Sequence, residues 1–156
     1  MKVFIVFMAL LVLNVGFLGH SADMDRYARL QRQLKVLAEE GASGAALLRD
    51  EAEYSAGRLC VDRQAAEGYI AYLLEHHQSQ LLSDPSSAIS AHMEVYDEKK
   101  GYEGADAYGI PETGPAVALR LEWDGPDLFR LPFLTVTHLE RTATYQWSDG
   151  LTSSFE

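Results

Sequence analysis

The apolar stretch VFIVFMALLVLNVGFL, residues 3–18, decides what kind of fold this chain can have. One charge, Lys2, precedes it, and the charged Asp23, Asp25 and Arg26 follow soon after. A membrane-spanning helix needs about 20 apolar residues, whereas the apolar core of a cleaved secretory signal has about 7–15. The run lies between these lengths. It therefore predicts an export element that is either a retained anchor or a cleaved signal.

The residues on either side of the apolar run help to decide between cleavage and retention as an anchor. Cleavage after Ser21 would place Gly19 and Ser21 at the small-residue positions of a signal-peptide site. Lys2 favours a chain whose N-terminus stays inside the cell while the rest lies outside. The first proline is Pro85, so a helix can continue beyond the apolar run.

This continuity favours an anchor over a signal that is removed. We expect residues 1–21 to be the anchor or signal segment, in contact with the membrane through residues 1–18. The remaining residues, 22–156, then form one extracytoplasmic domain of ordinary length. A cleaved, secreted or periplasmic product remains the alternative.

The charge of the chain excludes some partners. It has 13 basic and 23 acidic residues, a net charge of −10. Without Lys2 the exported part has 12 basic against 23 acidic residues, which gives −11. Nucleic-acid binding needs a basic surface, so we expect no nucleic-acid partner. The single cysteine, Cys60, predicts a buried apolar side chain rather than a disulfide framework.

Helical periodicity follows the apolar run. Residues 23–56 predict one long helix with a narrow apolar stripe of period near 3.5. The candidate packing stripe consists of Tyr27, Leu30, Leu34, Leu37, Gly41, Gly44 and Leu48. Its two glycines favour a close approach of another element, because small residues let backbones come near. The alternative is a break at the glycines that leaves two shorter helices. Gly57 is a suitable stop, and Asp62 is a suitable cap for a second helix over residues 62–82.

The period changes to two after Pro85, which indicates strands. Alternating apolar residues predict strands over residues 89–95, 117–123 and 139–147, and residues 128–136 predict an edge strand interrupted by Pro132. Helices first and strands later indicate an α+β fold: an apolar N-terminal helix, a long amphipathic helix, a second helix and a small antiparallel sheet of three to four strands within residues 88–147.

Residues that carry chemistry are few. His92 and His138 lie on different strands, each followed two residues later by Glu94 or Glu140, and they could form a shallow patch. A zinc site would need three or four converging ligands, so we interpret these residues as solvent-facing. A small hydrolase that uses the two histidines and their nearby glutamates is a third hypothesis. The sequence predicts no catalytic residue, no cofactor and no metal site.

The segment between the first two strands is a better candidate for binding. Residues 97–115 form a long loop rich in acidic and aromatic residues. Loops of this length are often functional, and exposed tyrosines suit protein contacts. The candidate partner loop carries Tyr96, Tyr102 and Tyr108. An ordinary surface loop is the alternative.

Two stretches resemble proteins of tight-adherence (Tad) pili. LKVLAEEGASGAALL, residues 34–48, resembles the alanine-rich segment after the membrane helix of TadE- and TadG-like proteins. LPFL, residues 131–134, and LERTATY, residues 139–145, resemble their closing strands. Processed pilins carry a basic leader ending in glycine and a glutamate shortly after it, and this chain has neither at its apolar run.

The resemblance implies a membrane-anchored pseudopilin, or minor pilin-like protein, that helps assemble a surface pilus or secretion filament by packing rather than catalysis. Its partners would be other pilin-like subunits or membrane assembly proteins. The competing hypothesis is a cleaved binding or inhibitor-type protein that acts through the loop at residues 97–115.

Overall fold

The computed structural model describes residues 2–81, 84–112, 114–130 and 134–147. Helices come first: α1 at Lys2–Ala46, α2 at Glu51–Ser55 and α3 at Arg63–Leu81. Three strands follow: β1 at Ala88–Tyr96, β2 at Ala116–Asp124 and β3 at His138–Gln146, with a 3-10 turn at Ala105–Tyr108 between the first two. The predicted α+β class, with its apolar N-terminal helix and antiparallel sheet, is confirmed.

The strands form one antiparallel sheet with β2 in the centre. Met93 on β1 lies opposite Leu119 on β2, which lies opposite Ala143 on β3. Because side chains alternate between the two faces of a strand, this register places the alternating apolar residues of all three strands on one face, while Tyr96, Ala116 and Ala118 lie on the other. The periodicity of two in the sequence therefore predicted the correct face of each strand.

The core lies between that face and the helices. α1 packs against β2, β3 and α3, and α3 packs against β1. Leu34 of α1 and Leu119 and Leu121 of β2 are completely buried at the centre. Each buried leucine contributes roughly 1.5–3 kcal/mol by leaving water. The sheet is thus held by the apolar stripe of α1.

The two glycines of the stripe are where α1 approaches its neighbours most closely. A Cβ at Gly41 would collide with the Leu119 side chain, and a Cβ at Gly44 would collide with the Tyr69 ring of α3. A glycine costs about 1 kcal/mol relative to alanine inside a helix. The insertion of these side chains offsets that cost, so α1 runs unbroken through both glycines.

The end of α1 corrects the predicted helix over residues 23–56. The helix ends at Ala46, and the chain then extends so that Arg49 forms a bridge with Val61. Asp50 caps α2 by accepting hydrogen bonds from the backbone N–H groups of Ala52 and Glu53. The bridge joins residues twelve positions apart along the chain, and helical periodicity carries no signal for such a contact.

The signals for the next two helix ends are correct. Gly57 follows α2 with a φ of +82°, a left-handed conformation that glycine adopts without a steric penalty. The Asp62 carboxylate accepts a 3.0 Å hydrogen bond from the backbone N–H of Ala65 at the start of α3. The described part of α3 ends at Leu81, one residue before the predicted end.

The β2–β3 connection differs from the predicted edge strand over residues 128–136. Residues 131–133 of this prediction lie outside the described ranges, and the described residues on either side of them form a loop around Asp127. The Asp127 carboxylate accepts hydrogen bonds from the backbone N–H groups of Phe129 at 3.0 Å and Val136 at 2.9 Å. These bonds hold the pKa of Asp127 below its usual range. The Asp127 side chain thus accepts backbone N–H groups that a strand would have paired with a neighbouring strand.

Candidate functional site

The N-terminal part of α1 projects from the folded domain. Its large apolar side chains from Val3 to Leu18 are 43–84% exposed. One window of 18 residues is apolar enough to cross a membrane, and none of it is buried. At 1.5 Å per residue, residues 3–18 span about 24 Å, close to the thickness of a hydrocarbon core of about 30 Å. This long apolar helix is consistent with a membrane anchor or a signal sequence.

The polar residue within the apolar run has an internal partner. The Asn14 side-chain amide donates a 2.9 Å hydrogen bond to the Leu10 carbonyl oxygen one turn earlier. An unpaired amide is costly in an apolar environment, and this bond satisfies one of its donors. Asn14 therefore does not interrupt the apolar surface as strongly as the sequence alone indicates.

A buried carboxylate ties the domain to the helix just beyond the apolar run. Asp23 is only 5% exposed, and its carboxylate accepts a 3.1 Å hydrogen bond from the backbone N–H of Arg130. The Arg130 guanidinium lies 3.9 Å away but is largely exposed, so the ion pair itself adds little. The backbone bond fixes the β2–β3 connection against α1. We call the group formed by Asp23, Arg130, His20, Tyr27 and Phe129 the neck.

Aromatic rings complete the neck. The Phe129 ring lies between His20 and Tyr27 of α1, with centroid distances of 6.3 and 5.8 Å. Among the described residues, the buried Nδ1 of His20 has no hydrogen-bond partner. Phe129 itself is buried, so these rings pack the β2–β3 connection against α1.

The predicted packing stripe faces the inside of its own domain. Leu30, Leu34 and Leu37 are at most 7% exposed, Gly41 is buried, and the other members, Tyr27, Gly44 and Leu48, are half-buried against the sheet and α3. In the assembly hypothesis this stripe would lie against helices of neighbouring subunits, but its own sheet and α3 already cover it. A filament contact would have to use the opposite face of α1.

The predicted partner loop is more closely packed than expected. Tyr96 is only 3% exposed, and Tyr102 and Tyr108 are half-buried with it against the second face of the sheet. Burial and the hydrogen bond to Glu94 raise the pKa of Tyr96 well above its usual value. The expectation of exposed tyrosines is wrong for Tyr96, because the loop folds back over Ala116 and Ala118. A contact role for the rest of the loop stays a prediction.

A second buried carboxylate, at Asp97, fixes this loop. It accepts hydrogen bonds from the backbone N–H groups of Val61 at 3.2 Å, Lys99 at 3.0 Å and Lys100 at 2.8 Å. Lys99 in turn lies 3.1 Å from the Glu53 carboxylate of α2. Sequence reasoning missed the burial of Asp97 and Asp23, because each is one of several acidic residues that follow an apolar segment and nothing local marks it as buried.

The histidines do not assemble a reactive centre. His92 and His138 lie on the same sheet face but on the two outer strands, with β2 between them. The His138 Nδ1 lies 2.8 Å from the Asp124 carboxylate, which raises the pKa of the imidazole. Within the described ranges, no three His, Cys, Asp or Glu residues are placed to hold a metal ion. The interpretation of these histidines as surface residues fits this geometry.

Comparison of the chain with protein-family models, with curated proteins and with solved structures finds no match.

Proposed function

We propose that the protein is a membrane-anchored, pseudopilin-like component that helps assemble a surface pilus or secretion filament by packing. The observation that supports it is the continuity of α1. Its 45 residues form an exposed apolar half that runs without interruption into the half that holds the sheet. The neck braces the domain against this helix at the point where it leaves the apolar run. Such a subunit presents its domain at a fixed orientation to the membrane.

The face of α1 opposite the core is the surface left for neighbouring subunits. It carries the exposed Arg32 and, further along, the exposed Glu39 and Glu40, with the 59% exposed Val36 between them. The arginine and the glutamates are separated by about 11 Å along the helix. Two parallel copies offset by that distance would bring opposite charges together. Exposed pairs contribute about 0–1 kcal/mol each, so they would set the register rather than the affinity.

Exchanging the apolar segment tests this proposal. In one variant a cleavable signal peptide replaces residues 1–21, and in a second an unrelated single-span anchor of the same orientation replaces them. We expect the first product to be exported without entering the membrane or the filament fraction. The second should stay in the membrane and enter filaments poorly, because its helix lacks the native packing surface. An anchorless domain found in the filament fraction would contradict the proposal.

A second function is supported by the position of the core. The buried core cluster begins at Leu30, so no residue of the segment 1–21 belongs to it. A product cleaved after Ser21 would keep its core, and it could act as a secreted or periplasmic binding protein through the loop at residues 97–115. The intact mass of the mature protein separates the two functions: a start at Met1 supports the anchor, and a start at Ala22 or Asp23 supports the secreted form.

A further inference from the structure

A groove opens beside the neck, at the end of the domain nearest the apolar run. It has a volume of about 520 Å³ and lies between α1, the segment that leads into β1, and the end of β2. Two arginines, Arg26 and Arg29, and two aspartates, Asp25 and Asp84, line it. Its formal charge is therefore balanced, although the chain as a whole carries −10.

The depth of the groove relative to a membrane can be worked out from the helix. A hydrocarbon core of about 30 Å corresponds to about 20 helical residues. Counted from Lys2, its outer edge falls near Ala22, which lines the groove. The headgroup layer of about 5–7 Å then covers the next four or five residues, including Asp25 and Arg26. The backbone of Arg29 lies about 10 Å past the edge, outside this layer, but helical side chains tilt towards the N-terminus, which here is the membrane side.

The inner wall of the groove contains an unused hydrogen-bond donor. Trp123 lines the groove and is only 2% exposed, and its indole N–H has no acceptor among the described residues. Leu30 and Leu128 form apolar wall beside it. A buried donor without an acceptor costs roughly 1–3 kcal/mol. The N–H itself is buried, so Trp123 serves as a reporter of the groove and is not assigned a ligand contact.

The balanced charge selects the chemistry of the ligand. A purely anionic ligand would place its charge beside the carboxylates of Asp25 and Asp84, the second of which already accepts hydrogen bonds from Ser86, and it would approach a strongly acidic protein. A zwitterion with a phosphate and an ammonium group matches both pairs of side chains. Arginine is the side chain best suited to bind phosphate, because its planar fork can donate two hydrogen bonds. A phosphate-bearing zwitterion at this depth is a membrane lipid.

We propose that this groove binds the zwitterionic headgroup of a phospholipid, with Arg26 and Arg29 on the phosphate and Asp25 and Asp84 on the ammonium. The site rests on the membrane anchor of the proposed function, but it does not need filament assembly. A bound headgroup would fix the height and rotation of the domain over the membrane.

Tryptophan fluorescence can test the site with the full chain in maltoside micelles. The chain has two tryptophans, so Trp147→Phe leaves Trp123 as the only reporter. The probe is dihexanoyl-phosphatidylethanolamine, compared with dihexanoylglycerol and with inorganic phosphate. We expect a saturable change in Trp123 emission with the phospholipid alone. An equal change with dihexanoylglycerol would show that the headgroup is not recognised, and an equal change with phosphate would show a site for a free anion. Either result overturns the proposal.

Arginine variants in the Trp147→Phe background locate the binding. Arg26→Gln with Arg29→Gln should weaken phospholipid affinity by about tenfold or more, since each arginine supplies charge-assisted hydrogen bonds. Arg32→Gln is the matched control, because this arginine is exposed on the same helix and does not line the groove. Unchanged affinity in the double variant, or equal losses in both, would also overturn the proposal. Filament assembly is measured separately, so each proposal can fail without the other.

Discussion

Replacing Leu34 by alanine measures whether the stripe of α1 is an internal core or a contact surface for other subunits. Leu34 is completely buried in this structure. The change removes three carbon atoms, a loss of about 2.4 kcal/mol at about 0.8 kcal/mol each. The cavity that remains raises the cost, so we expect a loss of about 3–4 kcal/mol in the free energy of unfolding. A domain of ordinary stability would be left close to its unfolding threshold.

Urea denaturation of the full chain in micelles, in the Trp147→Phe background, provides the assay, followed through the emission of the buried Trp123. With a slope of about 2 kcal/mol per M, the midpoint should fall by about 1.5–2 M. Val36→Ala is the matched control, since Val36 is two residues away but 59% exposed. It should change the free energy by less than about 0.5 kcal/mol. If Leu34→Ala costs less than about 1 kcal/mol, or no more than the control, the stripe is not the core of the domain.

Three further predictions follow from single contacts. Asp124 raises the pKa of His138 above its ordinary value of 6.5, so this pair stabilises the folded state below pH 6.5, and the contribution is lost as the pH rises through the raised pKa. NMR titration should show a lower imidazole pKa in Asp124→Asn. Equal pKa values in the two proteins would refute the pairing. Gly44→Ala should lower the free energy of unfolding by about 1–3 kcal/mol, because the new methyl group would collide with the Tyr69 ring. Gly68→Ala, whose methyl group meets open space, should raise the free energy of unfolding by about 0.5–1 kcal/mol. Thermal denaturation compares the two variants, and equal effects would contradict the close approach at Gly44. Asp97→Ala should lower the free energy of unfolding by about 2–3 kcal/mol and make the loop at residues 97–115 more sensitive to limited proteolysis, because the hydrogen bonds to the Asp97 carboxylate are lost. An unchanged cleavage rate would show that these hydrogen bonds do not hold the loop in place.

Local signals in the sequence predicted most of the elements. The alternation of apolar residues located all three strands, because in a sheet with one buried face the side-chain period is fixed at two. Asp62 marked the start of α3 because its cap needs only the next few residues. These features depend on neighbours along the chain, which the sequence displays directly.

Contacts between distant residues could not be predicted in the same way. α1 ends at Ala46 because the following residues reach the bridge with Val61, and Tyr96 is buried because a loop folds back over the sheet. The stripe itself was found correctly, but periodicity does not tell whether an apolar face meets its own chain or another. The neck and the groove were missed for the same reason, since Asp23 and Arg130 are 107 positions apart.

The position of the core also predicts what removal of residues 1–21 would do. That segment contributes His20 to the neck and nothing to the buried cluster, which begins at Leu30. After a cut behind Ser21, Asp23 would lie in the first turn of the shortened helix, where a carboxylate is favourable beside the free N–H groups. The unfolding temperature of the domain should therefore change little, whereas membrane retention should be lost completely. Calorimetry of the full chain in micelles and of the shortened chain in buffer makes the comparison. A loss of more than about 8 °C would correspond to more than about 2 kcal/mol for a domain of this size. It would mean that the neck holds the domain together, and it would refute the division of α1 into an anchor and a core-forming half.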